Sequence, residues 1–464
     1  MAPTESVEAL RSRLDVPLEE DGTPPERVVT ELVEAAECGL TGSAGGRFFA
    51  WVVGGALPAA LAADWLTSAW DQNAALHATS PAASIVEEVA GVWLKELLGL
   101  PATASFAIVN GCQMAHLTGL AAARHALLAR RGWDVETQGL YSAPPIRILT
   151  SDQRHGSFER AVRLVGMGTG NIHRLRSNAR DELDPTALGE VLAADPNAPT
   201  IVLLQAGDIN IGAYDDFPTL ITLAKEHHAW VHVDGAFGLW AAASPRYRHL
   251  MRGCAAADSW ATDGHKWLNT PYDCGYAFVA DAESHRGAMS HRAPYLTHAG
   301  DARDQMDWNP EWSRRARGFS TYAALRELGR AGVAELVDRC CRHAHAIVTG
   351  IGKLPGAELL WEPVINQGLV RFPDPRAGAT AEDHDRHTTE TIAAINATGE
   401  AFFSGTVWRG RAAMRVSVSN WRTTEEDVRR TINAVARVLV GPAVQAAAAL
   451  PGGAPTPGGS PAAG

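Results

Sequence analysis

Apolar residues in the first hundred positions recur at three- and four-residue spacing, the period of helices with one buried face. The pattern runs through PPERVVTELVEAAECGL, stopped at Gly39, then through ALAADWLTSAW and SIVEEVAGVWLKELLGL, which ends at Gly99 with Pro101 just beyond. Residues 1 to about 45 read as a loosely packed arm with one helix. After Pro101 the period changes. FAIVNGCQMAHLTGLAAARHALLARRG reads as a short apolar strand, a glycine turn and a long helix. PIRILTSDQRHGSFERAVRLVG and TIVLLQAGDINIGAYDDFPTLITLAKEHHAWVHVDGAFG repeat that plan, and ADSWATDGHKW and GYAFVAD add two more strands. Strands as short and apolar as IVLLQ and WVHVD, alternating with helices, predict an α/β domain with a mainly parallel sheet covered on both faces. From about Arg315 the pattern is helical again. A smaller α/β unit follows, with strands ELLWE, GLVRFP and AMRVSVSN and the helix TEEDVRRTINAVARVLV. The expected division is a helical segment at 1–98, a large domain at 99–345, a small domain at 346–440 and a disordered tail at 451–464, PGGAPTPGGSPAAG, with nothing to bury.

Composition narrows the function. A formal charge of -11 on 464 residues, with no stripe of Lys or Arg, argues against a nucleic-acid partner. Cys38, Cys112, Cys254, Cys274, Cys340 and Cys341 form no CxxC pair, so neither a disulfide framework nor a structural zinc site is expected. The N-terminus is acidic and lacks the apolar core of a signal peptide, and runs such as FFAWVVGGALPAALAA are broken by Gly and Pro. The expectation is a reduced, cytoplasmic protein that neither enters nor spans a membrane.

Open α/β sheets bind ligands beyond the carboxyl ends of their strands, so polar residues there carry the interest. Gly111, Asp152 with His155, Gly207, Asp234 and Lys266 all fall at or just past such ends. Taken singly, Lys266 in TDGHKWLN reads as a surface turn, Asp234 as a turn cap and His155 as a helix cap. Together they suit pyridoxal phosphate. An amine is needed for its aldehyde, and a carboxylate keeps its pyridine nitrogen protonated. An imidazole could lie flat on the ring. Gly111 and Cys112 open a long helix whose free N–H groups favour an anion.

On the segments SDQRHGSFERA, VHVDGAFG and ADSWATDGHKW, in that order and at those separations, the chain resembles the group II pyridoxal-phosphate-dependent amino acid decarboxylases. This family acts on aromatic amino acids, glutamate, histidine and cysteine sulfinate. The likeness extends from GGRFFAWV to VSNWRTTEEDV. It implies the aspartate-aminotransferase-like fold type I, a homodimer with sites at the subunit boundary, and the cofactor pyridoxal 5'-phosphate. By the same resemblance Lys266 bonds the cofactor, Asp234 pairs with its ring nitrogen and His155 stacks on the ring. His265 would touch the phosphate and ring region, with the phosphate at Gly111–Cys112. Tyr295, 29 residues beyond Lys266, would protonate the carbanion left when carbon dioxide departs.

Several positions depart from the family pattern. NGCQMAH stands where many members read SGGSEAN, so Cys112 replaces a serine. Asp263 replaces an asparagine beside the phosphate, and must be neutral, turned away or paired with a base such as His265. Asp208 and Ile209 replace threonines near the substrate, either by a repacked loop or through a different specificity. The resemblance places Phe49, Trp51, His77, Ser80 and Pro81 along the substrate site, partly across the dimer. Their character suits an aromatic or medium-sized neutral side chain, and no arginine near His77 offers itself to a second carboxylate. Arg415 is either a carboxylate contact or a strand-end salt bridge. The expected reaction is alpha-decarboxylation of an L-amino acid to the amine. Transamination, aldol-type cleavage, decarboxylation with oxidative deamination and a non-catalytic binding role remain alternatives.

Overall fold

The computed structural model describes residues 5–291 and 302–441. Seven strands form the large sheet: β1 (Ser105–Val109), β2 (Arg147–Ser151), β3 (Ile172–Leu175), β4 (Thr200–Gln205), β5 (Trp230–Asp234), β6 (Ser259–Asp263) and β7 (Gly275–Val279). Their spatial order is β1-β7-β6-β5-β4-β2-β3, with β7 antiparallel to both neighbours and the remaining pairs parallel. Every residue of β1, β4, β5, β6 and β7 is buried, including the polar residues of β4, β5 and β6. The edge strand β3 was not legible in the sequence. Its IHRL exposes two of four residues, so no apolar run marks it.

A second sheet holds β8 (Glu358–Trp361), β9 (Gln367–Arg371), β10 (Ser404–Trp408) and β11 (Arg411–Ser417) in the order β10-β11-β9-β8, antiparallel throughout. This is the fold type I architecture: a mixed-sheet cofactor domain with a smaller C-terminal α/β domain. The helix Gly318–Gly352, interrupted by Gly329 at φ 59°, packs against both sheets' surroundings and shares their largest apolar core.

The arm before residue 45 holds two helices rather than the one expected. Val7–Leu14 joins Pro25–Ala36, because Ser6 caps a polar segment by accepting the Ala9 N–H at 3.1 Å. Neither helix buries a residue within the chain. Downstream, residues 48–57 tie the two domains together. Phe49 N–H donates to the Phe402 carbonyl, Ser417 N–H to the Phe49 carbonyl, and Gly55 N–H to Asn269 Oδ1. A Cβ at Gly54 would stand 2.1 Å from the carbonyl oxygen of Lys266, so only glycine lets this segment pass against the lysine loop.

Candidate active site

Asp234 and Asp263 end the adjacent parallel strands β5 and β6, and both carboxylates are buried. Each faces the first turn of the helix Cys112–Ala129. Asp234 Oδ1 accepts the Ala236 N–H at 3.1 Å, and Oδ2 lies 3.4 Å from His116 Nε2. The Cys112 thiol is 3.9 Å from Oδ1. Burial by itself would raise the Asp234 pKa, but the charge and hydrogen bond of His116, with His155 and Lys266 nearby, hold it well below the usual carboxylate range. A carboxylate kept ionised inside the protein is what a ring nitrogen needs to retain its proton.

Asp263 has a different set of partners. Its Oδ1 accepts the Cys112 N–H at 2.6 Å, taking a free donor at the helix N-terminus, and its Oδ2 is 3.0 Å from Lys266 Nζ. His265 Nδ1 accepts the Cys274 N–H at 3.1 Å, so the neutral ring carries its proton on Nε2, 3.4 Å from Asp263 Oδ1. Tyr272 stacks on that imidazole with ring centroids 4.3 Å apart. Asp263 is therefore paired, chiefly with the lysine and also with His265. Burial would lower the Lys266 pKa, yet the Asp263 charge leads the effects that raise it, favouring the ammonium. Cys112 remains a thiol, since burial and then the two carboxylates push its pKa far up.

His155 caps the helix Gly156–Leu164: its Nδ1 accepts the Ser157 N–H at 3.3 Å and lies 2.7 Å from Ser157 Oγ. The residue is exposed at the surface, yet burial of its ring leads in lowering its pKa, with the charges of Asp234, Lys266, His116 and Arg415 acting on it. Arg415, on β11, is 6% exposed and makes no ion pair among the described residues; its Nε has no hydrogen-bond partner there. Burial lowers its pKa to about 10, opposed by Asp208. Asp208 spends its carboxylate on its own loop, accepting N–H groups of Asn210 at 2.8 Å and Ala213 at 2.7 Å, with Ile209 half-buried beside it.

Phe49 is buried and stacks on Phe403 at 5.4 Å, while Trp51 is exposed and lies against Phe48 and Phe402. His77 N–H donates to Asp304 Oδ1 at 2.9 Å. Ser80 is buried with no partner for its hydroxyl among the described residues, and Pro81 begins the helix Pro81–Leu97. Tyr295 falls outside the described residues, as does the tail at 451–464.

Two histidines escaped the sequence reading. His116 follows Cys112 by one helical turn, and His232 precedes Asp234 by two residues, on the same strand face. A polar residue two positions before a strand-end aspartate in an otherwise apolar strand was the available signal.

This donor set fits pyridoxal phosphate at its aldehyde and its ring nitrogen, through Lys266 and Asp234. At the helix N-terminus the fit includes a carboxylate where an anion is expected, compensated by Lys266 and His265. Comparison with known proteins agrees. The family model described as "Pyridoxal-dependent decarboxylase conserved domain" matches residues 8–373. The chain is 30% identical over 432 residues to tryptophan decarboxylase 1 of Oryza sativa subsp. japonica, covering 88% of this chain and 82% of that protein. It is 26% identical over 427 residues to the aromatic-L-amino-acid decarboxylase of Bacillus atrophaeus, covering 90% and 86%. The crystal structure of Oryza sativa TDC with PLP and tryptamine superposes with a TM-score of 0.87 at 27% identity, covering 94% of this chain and 92% of that one.

Proposed function

The chain belongs to the pyridoxal-dependent decarboxylase family, a carboxy-lyase with pyridoxal phosphate as cofactor, and on that premise we propose that it decarboxylates an L-amino acid with an aromatic or medium-sized neutral side chain. When bound, the cofactor supplies an electron sink for the pair released with carbon dioxide. The observation that carries the reading is the convergence of half-buried Lys266 with the buried carboxylates of Asp234 and Asp263, which end two neighbouring strands, Lys266 lying 3.0 Å from Asp263 and His116 3.4 Å from Asp234.

In this reading Lys266 is the amine that holds the cofactor and later releases the product. Asp263 governs its proton, since transfer of charge away from the Lys266–Asp263 pair frees the nucleophilic amine. Asp234 holds the ring-nitrogen proton, and His155 covers the ring face from the helix it caps. The Gly111–Cys112 turn receives the phosphate, and His265 borders it. Arg415, buried, with its Nε unpartnered and in no ion pair among the described residues, is the group assigned to the substrate carboxylate. Tyr295 delivers the proton to the α-carbon.

Support for the side-chain class comes from two relatives, a tryptophan decarboxylase and an aromatic-L-amino-acid decarboxylase. The working form is a homodimer. Val28, Val29, Leu32 and Val33 on the helix Pro25–Ala36, with Trp65, Leu66 and Trp70 on Pro58–Trp70, are each close to half exposed or more, an apolar surface suited to a second copy. Among the described residues no helix is long and apolar enough to cross a membrane.

The test is a screen of the proteinogenic and common non-standard amino acids, with carbon dioxide, amine, aldehyde and keto acid followed separately. Amine stoichiometric with carbon dioxide from an aromatic or neutral substrate supports the proposal. Keto acid without carbon dioxide replaces it with transamination, and aldehyde with oxygen uptake replaces it with the oxidative branch. Activity confined to dicarboxylates overturns the substrate class.

A further inference from the structure

Behind Asp234 lies a run of buried polar groups that the reaction described above does not use. His116 Nδ1 is 2.9 Å from His232 Nε2, and His232 Nδ1 is 2.7 Å from Ser259 Oγ. Trp230 Nε1–H donates to the same Ser259 oxygen at 2.9 Å. His116, His232 and Ser259 are all 0% exposed. The run passes under the helix Cys112–Ala129, where Cys112, His116 and Gly119 share one face. A Cβ on Gly119 would stand 2.8 Å from His232 Cε1 and 3.3 Å from Ser259 Oγ, so glycine leaves the room the run occupies. Phe158 closes it on the side, edge-on to His116 at 5.6 Å and stacked on His232 at 6.1 Å.

The direction of the hydrogen bonds follows from which atoms carry protons. An indole only donates, so Ser259 Oγ accepts from Trp230 and its own proton is free for His232 Nδ1. His232 then carries its proton on Nε2 and donates to His116 Nδ1. His116 in turn carries its proton on Nε2, facing Asp234 Oδ2. If His116 holds a second proton, on Nδ1, then His232 accepts at Nε2 and shifts its own proton to Nδ1, facing Ser259. In both arrangements His116 carries a proton on Nε2, which lies 3.4 Å from Asp234 Oδ2 and also 3.4 Å from Cys112 Sγ. The carboxylate is an acceptor in each, never a donor.

We infer that His116, backed by His232 and Ser259, is a positioning relay that holds Asp234 as a permanent acceptor for the cofactor's ring-nitrogen proton. It rests on Asp234 meeting that nitrogen. Burial lowers the His232 pKa to about 3, which keeps this link neutral and able to both donate and accept. Cys112, with its weak thiol, adds little to the hold on Asp234, so His116 is its principal side-chain partner.

The experiment reconstitutes the apoenzyme with pyridoxal phosphate carrying 15N in its ring, and reads the ring-nitrogen shift by NMR beside kcat and KM. The variants are His116→Leu, His116→Gln, Ser259→Ala and Asp234→Ala. A parallel series uses N-methyl pyridoxal phosphate, whose ring nitrogen is permanently charged. In H116L the nitrogen signal is expected to move toward the unprotonated position. Its kcat should fall by about ten- to a hundredfold, the range for losing a partner that orients a functional ligand, while KM stays nearly constant. H116Q, which can still donate to Asp234, should recover most of both. S259A, which leaves the ring packing in place, should move the signal the same way by less. N-methyl cofactor should bring H116L to the level of the unaltered protein.

An H116L signal and kcat matching the unaltered protein would overturn the relay, as would a kcat loss that N-methyl cofactor leaves in place. A folded S259A with an unmoved signal would also overturn it, confining the effect to His116. If H116L does not fold, S259A still decides. Asp234→Ala separates the premise from the inference. An unmoved signal there removes Asp234 from the ring nitrogen, whereas a moved signal with H116 variants unchanged rejects the relay alone.

Discussion

Two buried carboxylates stand at the ends of neighbouring strands, yet the protein treats them differently. Asp234 is backed by imidazoles, with His116 3.4 Å from its oxygen and His232 behind that ring. Asp263 is held by an ammonium and by a backbone donor, Lys266 at 3.0 Å and the Cys112 N–H at 2.6 Å. An imidazole can pass a proton along while keeping one directed at its partner, so the Asp234 end suits a charge that stays in place through a reaction. A lysine amine must lose its proton to act as a nucleophile, so the Asp263 end is built for a charge that changes.

The contrast breaks most decisively at Asp234. Asp234→Ala should retain cofactor binding through Lys266 but lose about a hundredfold or more in kcat, the scale for removing one preorganised electrostatic contact. Carbon dioxide release, with the absorption of the bound cofactor as the binding check, measures it. Turnover near that of the unaltered protein would mean that the sink needs no carboxylate.

Acid sharpens the comparison next. His232 behind Asp234, and His285 between Ser105 Oγ and the Trp308 carbonyl at 2.8 Å each, both have pKa values lowered to about 3, chiefly by burial. Below about pH 6.5 the unfolded chain takes up protons on these histidines and the folded one does not. Stability is therefore fully present above that pH and is lost as pH falls toward 3, at up to about 1.4 kcal/mol per pH unit for each histidine. Urea midpoints at pH 7 and pH 5 test this, and replacing His285 by Asn should flatten part of the slope. A midpoint unchanged across that interval would contradict it.

The smallest expected effect is at Asp263. Asp263→Asn removes a negative charge from the helix N-terminus assigned to the phosphate and removes the leading influence that keeps Lys266 protonated. Apoenzyme titrated with pyridoxal phosphate, followed by tryptophan fluorescence, should bind up to about tenfold more tightly at neutral pH. Weaker binding would show that Asp263 matters more for positioning Lys266 than for repelling phosphate.

Much of this architecture is written locally. WVHVD and its neighbours are short enough, and IVLLQ and WVHVD apolar enough, to read as interior strands alternating with helices, which brings their terminal polar residues to one edge of a parallel sheet. The order of the histidine, aspartate and lysine segments carried the family and the cofactor. Strand β3 and the helix Val7–Leu14 were not legible, because edge elements with polar sequences lack the periodic apolar stripe that marks buried ones.

What only the folded chain decided is the partnership of each charge. Nothing near Asp263 in sequence says whether it turns to His265, to Lys266 or to the backbone of Cys112, 151 residues away. His116 and His232, 116 residues apart, become a pair only when a helix from one βα unit crosses the strand of another. The sequence by itself determined which groups reach the end of the sheet, since period and burial are properties of short segments. The tertiary structure determined which of them share protons, since hydrogen bonds and low-dielectric charge interactions depend on a few ångströms between residues that the chain keeps far apart.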